Sequence, residues 1–506
     1  MRIFLLSAQK DTEVLGLKSI QYYLRREGHD VSILFLPRLQ LETPAQQRDV
    51  RELLAREEPK LFGMSLMSGE YDKAKVLTAF LKREFPQVPL IWGGIHPTIA
   101  PEESLAHADY VCIGEGELMM ADLAACLERG EDPRQINNLA YIQDGQVIRN
   151  PLHPLMAELD RFPPYEHVAA HSWLQHKGRV RSLDTALNQR YAPYLGRTYS
   201  VLTSRGCPFH CTYCCNNFLQ ELYDDRKIRR RSIDHVIQEL EQARRSHPEL
   251  QLVNFQDDCF LAVNAKQLRA FFQEYNRRVG LPFVCHSIPT YLTEEKVALL
   301  RESRVAWVIM GLQSGSDRVL REVYRRKSYS DHFLKAAHLL SRHGVAGIYD
   351  VILDNPLETE EETLDTIATF MATPKPFMPE FFSLSLYQGT EIHRLAREAG
   401  KAQDVEDYRR KNYLVYGKSD LNRMMRLSAF LDRSLLEPLV ARYQRGRRSL
   451  AFRIHLFLAQ LASSFFFEPL TYFRVIRLSQ GGSYLRMAQT IPLYLKEGGK
   501  RFLDQF

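Results

Sequence analysis

Two long stretches of this sequence alternate short apolar runs with segments of helical length, and that alternation excludes most fold classes. In the first stretch the apolar runs are Arg2–Ser7, Asp30–Phe35, Leu61–Ser65, Leu90–Gly93 and 110–113, with helical segments such as 20–27 and 71–85 between them. Repeated strand and helix predict a parallel sheet covered on both faces, a doubly wound, Rossmann-like domain whose ligand lies beyond the carboxyl ends of the strands. Asp144-Gly145 between two alternating runs predicts a hairpin that closes this domain at about residue 150. Residues 151–199 show no period and read as a linker. A second series follows at 200–204, 252–256, 283–287, 307–311, 347–353 and 382–387. Six strands in βα order predict an open (β/α)6 barrel over 200–400, and 401–506 reads as a mainly helical region. The chain contains neither a solenoid-length repeat nor a low-complexity tract.

Composition narrows the function classes. At 45% apolar and 25% charged residues, the 506-residue chain has the balance of an ordinary globular protein. Its first residues read as a strand instead of a secretory leader, and no run of 18 uncharged apolar residues predicts a membrane span. Of eight cysteines, Cys207, Cys211, Cys214 and Cys215 fall within nine residues. Such clustering points to metal or redox chemistry in a reducing compartment, the cytoplasm, and away from a secreted disulfide framework. The net charge of +6 is concentrated: residues 421–506 hold 14 Lys and Arg against 5 Asp and Glu, which leaves the remainder slightly acidic.

The segment from Ser204 to Asn217 carries the strongest chemical signal. Cys207, Cys211 and Cys214 form C-x3-C-x2-C on one loop after a predicted strand. Close spacing lets one loop wrap an iron–sulfur cluster. Three thiolates for four irons leave one iron open, as a catalytic metal requires. A zinc site would show a second C-x2-C pair, and none follows. Cys215, Cys259 and Cys285 are unassigned: one could hold a second cluster, but buried thiols are the commoner role.

This motif, with Tyr213 just before the third cysteine, resembles that of the radical S-adenosylmethionine (SAM) superfamily, and the resemblance extends over 200–400. It implies a 4Fe–4S cluster on Cys207, Cys211 and Cys214 whose open iron chelates SAM, and cleavage of SAM to a 5′-deoxyadenosyl radical. By the same resemblance Asp257 and Asp258, at the end of the second barrel strand, lie where relatives hold the SAM amino group. Gln313 and Ser314, in Gly311-Leu-Gln-Ser-Gly-Ser316, lie where relatives contact ribose. The family more often has glutamate at the Gln313 position, but an amide can also hydrogen-bond hydroxyls. Ile352, in the segment 350–356, lies where adenine packs.

The first domain resembles the cobalamin-binding domain of methionine synthase and of cobalamin-dependent radical SAM enzymes, which carries D-x-H-x-x-G, then S-x-L, then G-G. Here Asp11, Glu13 and Gly16 follow the first strand, Ser65 ends the third, and Gly93-Gly94 ends the fourth. Gly114 and Glu115, in Gly-Glu-Gly-Glu, follow the fifth, as in many radical SAM relatives. Glycines at strand ends let a bulky ligand approach the backbone. Glu13 stands where the family has its cobalt-ligating histidine, so the resemblance implies cobalamin held without a protein nitrogen. The alternative is a doubly wound domain that has lost the cofactor.

Together the two resemblances imply a cobalamin-dependent radical SAM enzyme. The expected reaction is methylation of an unactivated carbon through a deoxyadenosyl radical and methylcobalamin. The alternative is cyclisation, rearrangement or C–C bond formation on a lipid or other hydrophobic substrate. A small-molecule or lipid-like substrate and an electron donor such as flavodoxin or ferredoxin are the expected partners. A tRNA methylthiotransferase would need a cysteine-bearing first domain, which has only Cys112 and Cys126, and a non-enzymatic cobalamin sensor has no use for the cluster motif. No motif suggests nucleic acid. The segment 449–467 is apolar but broken by Arg453, His455 and Gln460; its uncharged part, 454–467, is too short to span a bilayer. With Arg442, Arg445, Arg447, Arg448, Arg474 and Arg477 around it, it suits either a helical cap on the barrel or peripheral contact with an anionic membrane.

Overall fold

The structure, a computed structural model, describes residues 1–402, 411, 413–446 and 449–479; Arg447, Arg448 and the end of the basic C-terminal region lie outside them. Strands β1 (Arg2–Ser7), β2 (Asp30–Phe35), β3 (Leu61–Ser65), β4 (Leu90–Gly93) and β5 (Tyr110–Cys112) form the parallel core of a nine-stranded sheet. These strands are buried on both faces, which is why they read as unbroken apolar runs. Hairpin β6 (Leu139–Gln143) and β7 (Gln146–Arg149) extends one edge antiparallel, with Asp144 and Gly145 both at positive φ. The order β5-β4-β3-β1-β2 reverses direction between β1 and β3, the switch point at which such sheets bind ligands.

The stretch 151–199 is not a linker. Strands β8 (Ser172–His176) and β9 (Arg179–Ser182) continue the first sheet beyond β2. They are joined at Lys177-Gly178, both with positive φ, as a two-residue hairpin requires. The reading failed because Ser-Trp-Leu-Gln-His and Arg-Val-Arg-Ser are short edge strands with much polar character.

The second sheet is all parallel in the order β10 (Thr198–Val201), β13 (Leu252–Phe255), β14 (Phe283–Ser287), β15 (Val305–Gln313), β16 (Ala346–Leu353) and β17 (Met378–Ser383), and its two edges are not paired with each other. A two-stranded ribbon, β11 (Ser204–Arg205) against β12 (Arg229–Arg230), stands at its carboxyl end. The last strand lies earlier than the expected 382–387. The alternation of Leu384 and Leu386 fills a cluster with Val319, Leu320 and Ile392 instead of a ladder face.

The C-terminal region is helical where described: Asp420–Phe430, Arg433–Gln444 and a continuous helix Leu450–Ser479. That last helix is twice the expected apolar length. By length and composition it is long and apolar enough to cross a membrane. Its final turns, however, pack on the barrel: Val475 joins Val284, Ala306, Trp307, Ala346 and Ile348 at the amino ends of the strands.

Candidate active site

The loop carrying Cys207, Cys211 and Cys214 leaves β11 and enters the helix Cys215–Tyr223. Gly206 takes a φ of +101°, and a Cβ there would lie 2.8 Å from the Lys227 carbonyl oxygen. Only glycine lets the loop depart so close to the neighbouring backbone. The loop is tied along its length. Gln220 donates to the carbonyls of Cys207 and Phe209, and Thr212 donates through its Oγ1 to the Val323 carbonyl (2.7 Å) and through its N–H to Tyr324 (3.0 Å). Asp257 receives the Thr203 amide (3.1 Å), the Thr203 hydroxyl (2.7 Å) and the Ser204 hydroxyl, and is wholly buried. Its carboxylate is thus committed to holding the chain that leads into the cysteines.

Cys211 is buried, Cys207 and Cys214 are partly so, and Cys215 is exposed. Burial pushes the Cys207 thiol up to about 12 and also raises Cys211, while a bond to the Cys215 thiol and burial raise Cys214. Thiolates here need a metal's positive charge. Among the described residues no three His, Cys, Asp or Glu side chains gather around one point. A cubane spreads its irons and takes one thiolate on each, so its three ligands need not converge on one point. The donor set fits a 4Fe–4S cluster.

Tyr213 turns inward. Its hydroxyl accepts from Arg326 (2.8 Å), whose other terminal nitrogen donates to the Gly311 carbonyl (2.8 Å), and Tyr213 and Ile352 meet in one apolar cluster. Asp258 is exposed and its charge is felt by Cys207, Cys214 and Cys215. At the end of β15 the ladder shifts register between Gly311 and Gln313, and Gln313 takes a φ of +70°. Such strained backbone at a strand end is a mark of a functional position. Buried oxygens of Ser200, Asn254 and Gln313 have no hydrogen-bond partner. Unpaired polar atoms on β10, β13 and β15 suit a polar ligand such as SAM. Ser314 donates to Glu358 (2.8 Å), and a cavity of about 200 Å³ lined by Ile352, Asp354, Glu358 and Thr366 opens beside them.

On the first sheet, Asp11 and Glu13 follow β1, with Asp11 accepting the Glu13 amide (2.9 Å). Both carboxylates favour the charged form of Lys18, but burial outweighs them and brings that amine down to about 8. Gly16 faces open space, with no atom within 4 Å of where a Cβ would be. Gly94, at φ +96°, would bring a Cβ to 2.8 Å from the Leu66 carbonyl and 3.0 Å from the Ser65 hydroxyl, so the loops after β3 and β4 close only around glycine. Gly93 lies beside Cys112. Gly16 is exposed at the switch point, which leaves room for a ligand there, and Glu13 offers such a ligand no nitrogen.

Gly114 and Glu115, expected among the cofactor contacts, lie at the seam between the two sheets. A Cβ on Gly114 would collide with the Tyr223 hydroxyl; that hydroxyl also accepts the Glu115 amide (2.8 Å). Glu115 pairs with Arg229 (2.5 Å). Arg205, two residues before Cys207, pairs with buried Glu117 (2.5 Å) and stands over the Phe162 ring. Burial opposes charge on Glu117, but Arg205 and a Ser19 hydrogen bond together hold its carboxyl below the usual range.

The comparisons agree with this geometry. The B12 binding domain family matches residues 1–124, and the Radical SAM superfamily matches residues 201–370. The chain belongs to the cobalamin-binding radical SAM enzymes. The two matched families imply cobalamin, SAM and a 4Fe–4S cluster as its cofactors. An uncharacterized methyltransferase of Pyrococcus horikoshii is 24% identical over 70% of this enzyme and 72% of the relative. The cytidylyl-2-hydroxyethylphosphonate methyltransferase of Streptomyces wedmorensis is 24% identical over 79% and 81%. The anaerobic magnesium-protoporphyrin IX monomethyl ester cyclase of Rubrivivax gelatinosus is 22% identical over 85% and 73%. In fold, the enzyme is similar to the cobalamin-dependent radical enzyme OxsB (TM-score 0.65, 13% identity, 98% of this chain and 81% of that one) and to the methyltransferase TsrM of Kitasatospora setae (0.61, 17%, 79% and 76%).

The sequence reading missed Arg205, Arg229, Tyr223, Arg326 and Glu358. Arg205 had a local signal, its place just ahead of Gly206-Cys207; the others meet their partners only in three dimensions.

Proposed function

We propose that this enzyme methylates an unactivated carbon of a small or lipid-like molecule. The observation that carries the reading is the seam: the strand leading into the cluster cysteines is ion-paired, through Arg205, to Glu117 of the B12-binding domain. Radical generation and methyl delivery at one carbon need two cofactors held at fixed separation. When bound, the cluster supplies the electron that cleaves SAM, and cobalamin supplies a carrier for the methyl group.

The chain's own residues do the positioning. Cys207, Cys211 and Cys214 hold the cluster, while Asp257 and Gln220 fix their loop. Asp258, exposed beside the cysteines, takes the SAM amino group in place of Asp257, whose oxygens are engaged. Gln313 and Ser314 meet the ribose, and Ile352, which lines the cavity beside Glu358, meets the adenine. Asp11, Glu13, Gly16, Ser65, Gly93 and Gly94 frame the cobalamin slot. A low-potential protein such as flavodoxin or ferredoxin delivers electrons in the cytoplasm.

Anaerobic turnover with a methyl acceptor should yield 5′-deoxyadenosine and S-adenosylhomocysteine in equal amounts. A relative named as a cyclase spans 85% of this chain and favours cyclisation as the second reading. Product formed with 5′-deoxyadenosine but without S-adenosylhomocysteine would replace methyl transfer by that reaction.

A further inference from the structure

The helix Leu450–Ser479 has two unlike faces. Phe452, Leu456 and Ser463 are buried on one side, and Glu468 pairs with Arg426 (2.7 Å) to fasten the helix to its neighbour. Leu450, Ile454, Phe457, Leu458, Leu461 and Phe465 follow the spacing i, i+4, i+7, i+8, i+11, i+15, which places them on one stripe. Five of them show at least half their surface, with Leu450 at 75% and Phe465 at 73%. Aromatic and aliphatic side chains contiguous over several turns are not an ordinary protein surface.

We propose that this stripe is a membrane-docking surface that lies in the headgroup region of an anionic bilayer. Charge selects the occupant. Arg442, Arg445 and Arg453 are exposed around the start of the stripe and Arg474 is exposed near the end of the helix. A second copy of the chain would bring these like charges together across a two-fold axis. The chain after Ser479 is also basic, with Arg486, Lys496, Lys500 and Arg501 against Glu497 and Asp504, so it does not complement the stripe. An anionic lipid surface satisfies the arginines and the apolar stripe at once. Spanning the bilayer would require stripping the opposite face from the protein and breaking the Arg426–Glu468 pair, so the helix lies on the membrane. Its last turns pack at the amino ends of the barrel strands, whereas the cysteine loop is at their carboxyl ends. Docking therefore leaves the cofactor face clear of the bilayer. This inference does not depend on which group the enzyme transfers.

The test uses the full-length, cluster-loaded enzyme under anaerobic conditions. Co-sedimentation is measured with vesicles of phosphatidylglycerol and phosphatidylcholine and with phosphatidylcholine alone. Binding is expected to the anionic vesicles, weakened by high salt. The double variant Leu458→Glu, Phe465→Glu should bind at least roughly tenfold more weakly, and Arg445→Gln, Arg453→Gln should bind more weakly while losing most of the salt dependence. Both pairs are exposed, so iron content and melting temperature should be unchanged. Absence of vesicle binding by the unmodified enzyme would overturn the proposal. So would sedimentation equilibrium showing a dimer that Leu458→Glu, Phe465→Glu converts to a monomer, since a second copy would then cover the stripe.

Discussion

The enzyme's two parallel sheets both end in cofactor loops, but the loops are braced by different means. At the carboxyl edge of the six-stranded sheet, polar side chains do the bracing: Asp257 holds Thr203 and Ser204, Gln220 holds the carbonyls of the cysteine loop, and Arg326 joins Tyr213 to Gly311. At the same edge of the nine-stranded sheet, backbone closeness takes over: Gly94 lets the loop after β4 lie against Leu66, and the space beside Gly16 is open. Bonds to iron tolerate little displacement, so their ligands are fixed by many hydrogen bonds. A large ligand gripped along its length needs room and close backbone instead.

The largest expected effect comes from breaking each brace separately. Cys211→Ala should remove the cluster and bring 5′-deoxyadenosine formation to background while leaving cobalamin uptake intact. Gly94→Ala should do the reverse, because its Cβ would press on the Leu66 backbone at a φ of +96°. Iron assay and the visible absorption of bound cobalamin report the two losses independently. Equal loss of both cofactors in either variant would erase the distinction between the sheets.

The seam should respond next most strongly. Glu117→Gln removes the nearer of the two carboxylates on Arg205, leaving Glu115 at 3.5 Å, and is expected to cost about 2 kcal/mol. Glu117 is held below its usual range in the folded state. Its contribution is therefore present above the unfolded carboxylate value and fades as pH falls through the lower folded one. Anaerobic thermal unfolding should show the gap between wild type and variant at neutral pH and its narrowing below about pH 4. A gap that stays constant into acid would mean that Glu117 acts through packing and not through its charge.

Glu358 offers an effect of opposite sign. Burial raises its carboxyl to about 7 despite the Ser314 hydrogen bond. The folded state thus holds the proton more tightly, and stability declines as pH rises from the unfolded value through about 7. Glu358→Gln keeps an acceptor for Ser314 and loses the titration. The variant should gain on the order of 1–3 kcal/mol over wild type by pH 8 and nothing at pH 4. Equal pH profiles would show that this carboxyl is solvated in solution.

What the sequence made legible follows from range. Core strands of the first sheet were readable because burial on both faces leaves unbroken apolar runs such as Ile-Phe-Leu-Leu in β1. The cysteine loop was readable because all three thiols lie within one turn-rich segment. The hairpin at Lys177-Gly178 was lost because lysine is not a turn signal at positive φ. The last barrel strand was misplaced because Leu384 and Leu386 alternate as a strand would while packing a side cluster. The seam was invisible for another reason: Arg205 and Glu117 are 88 residues apart, and no local pattern links them. Gly114 and Glu115 carried a motif, but their contacts with Tyr223 and Arg229, about 110 residues away, had no local signal.

The finest test of the comparison concerns Glu13. The first sheet presents a carboxylate where the resembled domains present an imidazole, and that carboxylate stands in the field of buried Lys18. A carboxylate near a protonated amine has its charge partly matched already, which makes it a poor donor to cobalt. The wild-type enzyme loaded with cob(II)alamin should therefore show no hyperfine splitting from a protein nitrogen in its electron paramagnetic resonance spectrum. Glu13→His supplies an imidazole at the same loop position, and splitting should appear that changes when the histidines carry a different nitrogen isotope. Because Glu13 helps keep Lys18 charged, its loss should also lower the Lys18 amine below about 8. Keeping the buried Lys18 amine charged costs stability below its folded value, so the variant, with that value lowered further, should be less stable than wild type at neutral pH and recover the difference as pH rises toward the ordinary lysine value. Histidine-derived splitting in the wild type would show that another residue reaches cobalt and that the first sheet is braced at its cofactor as firmly as the second.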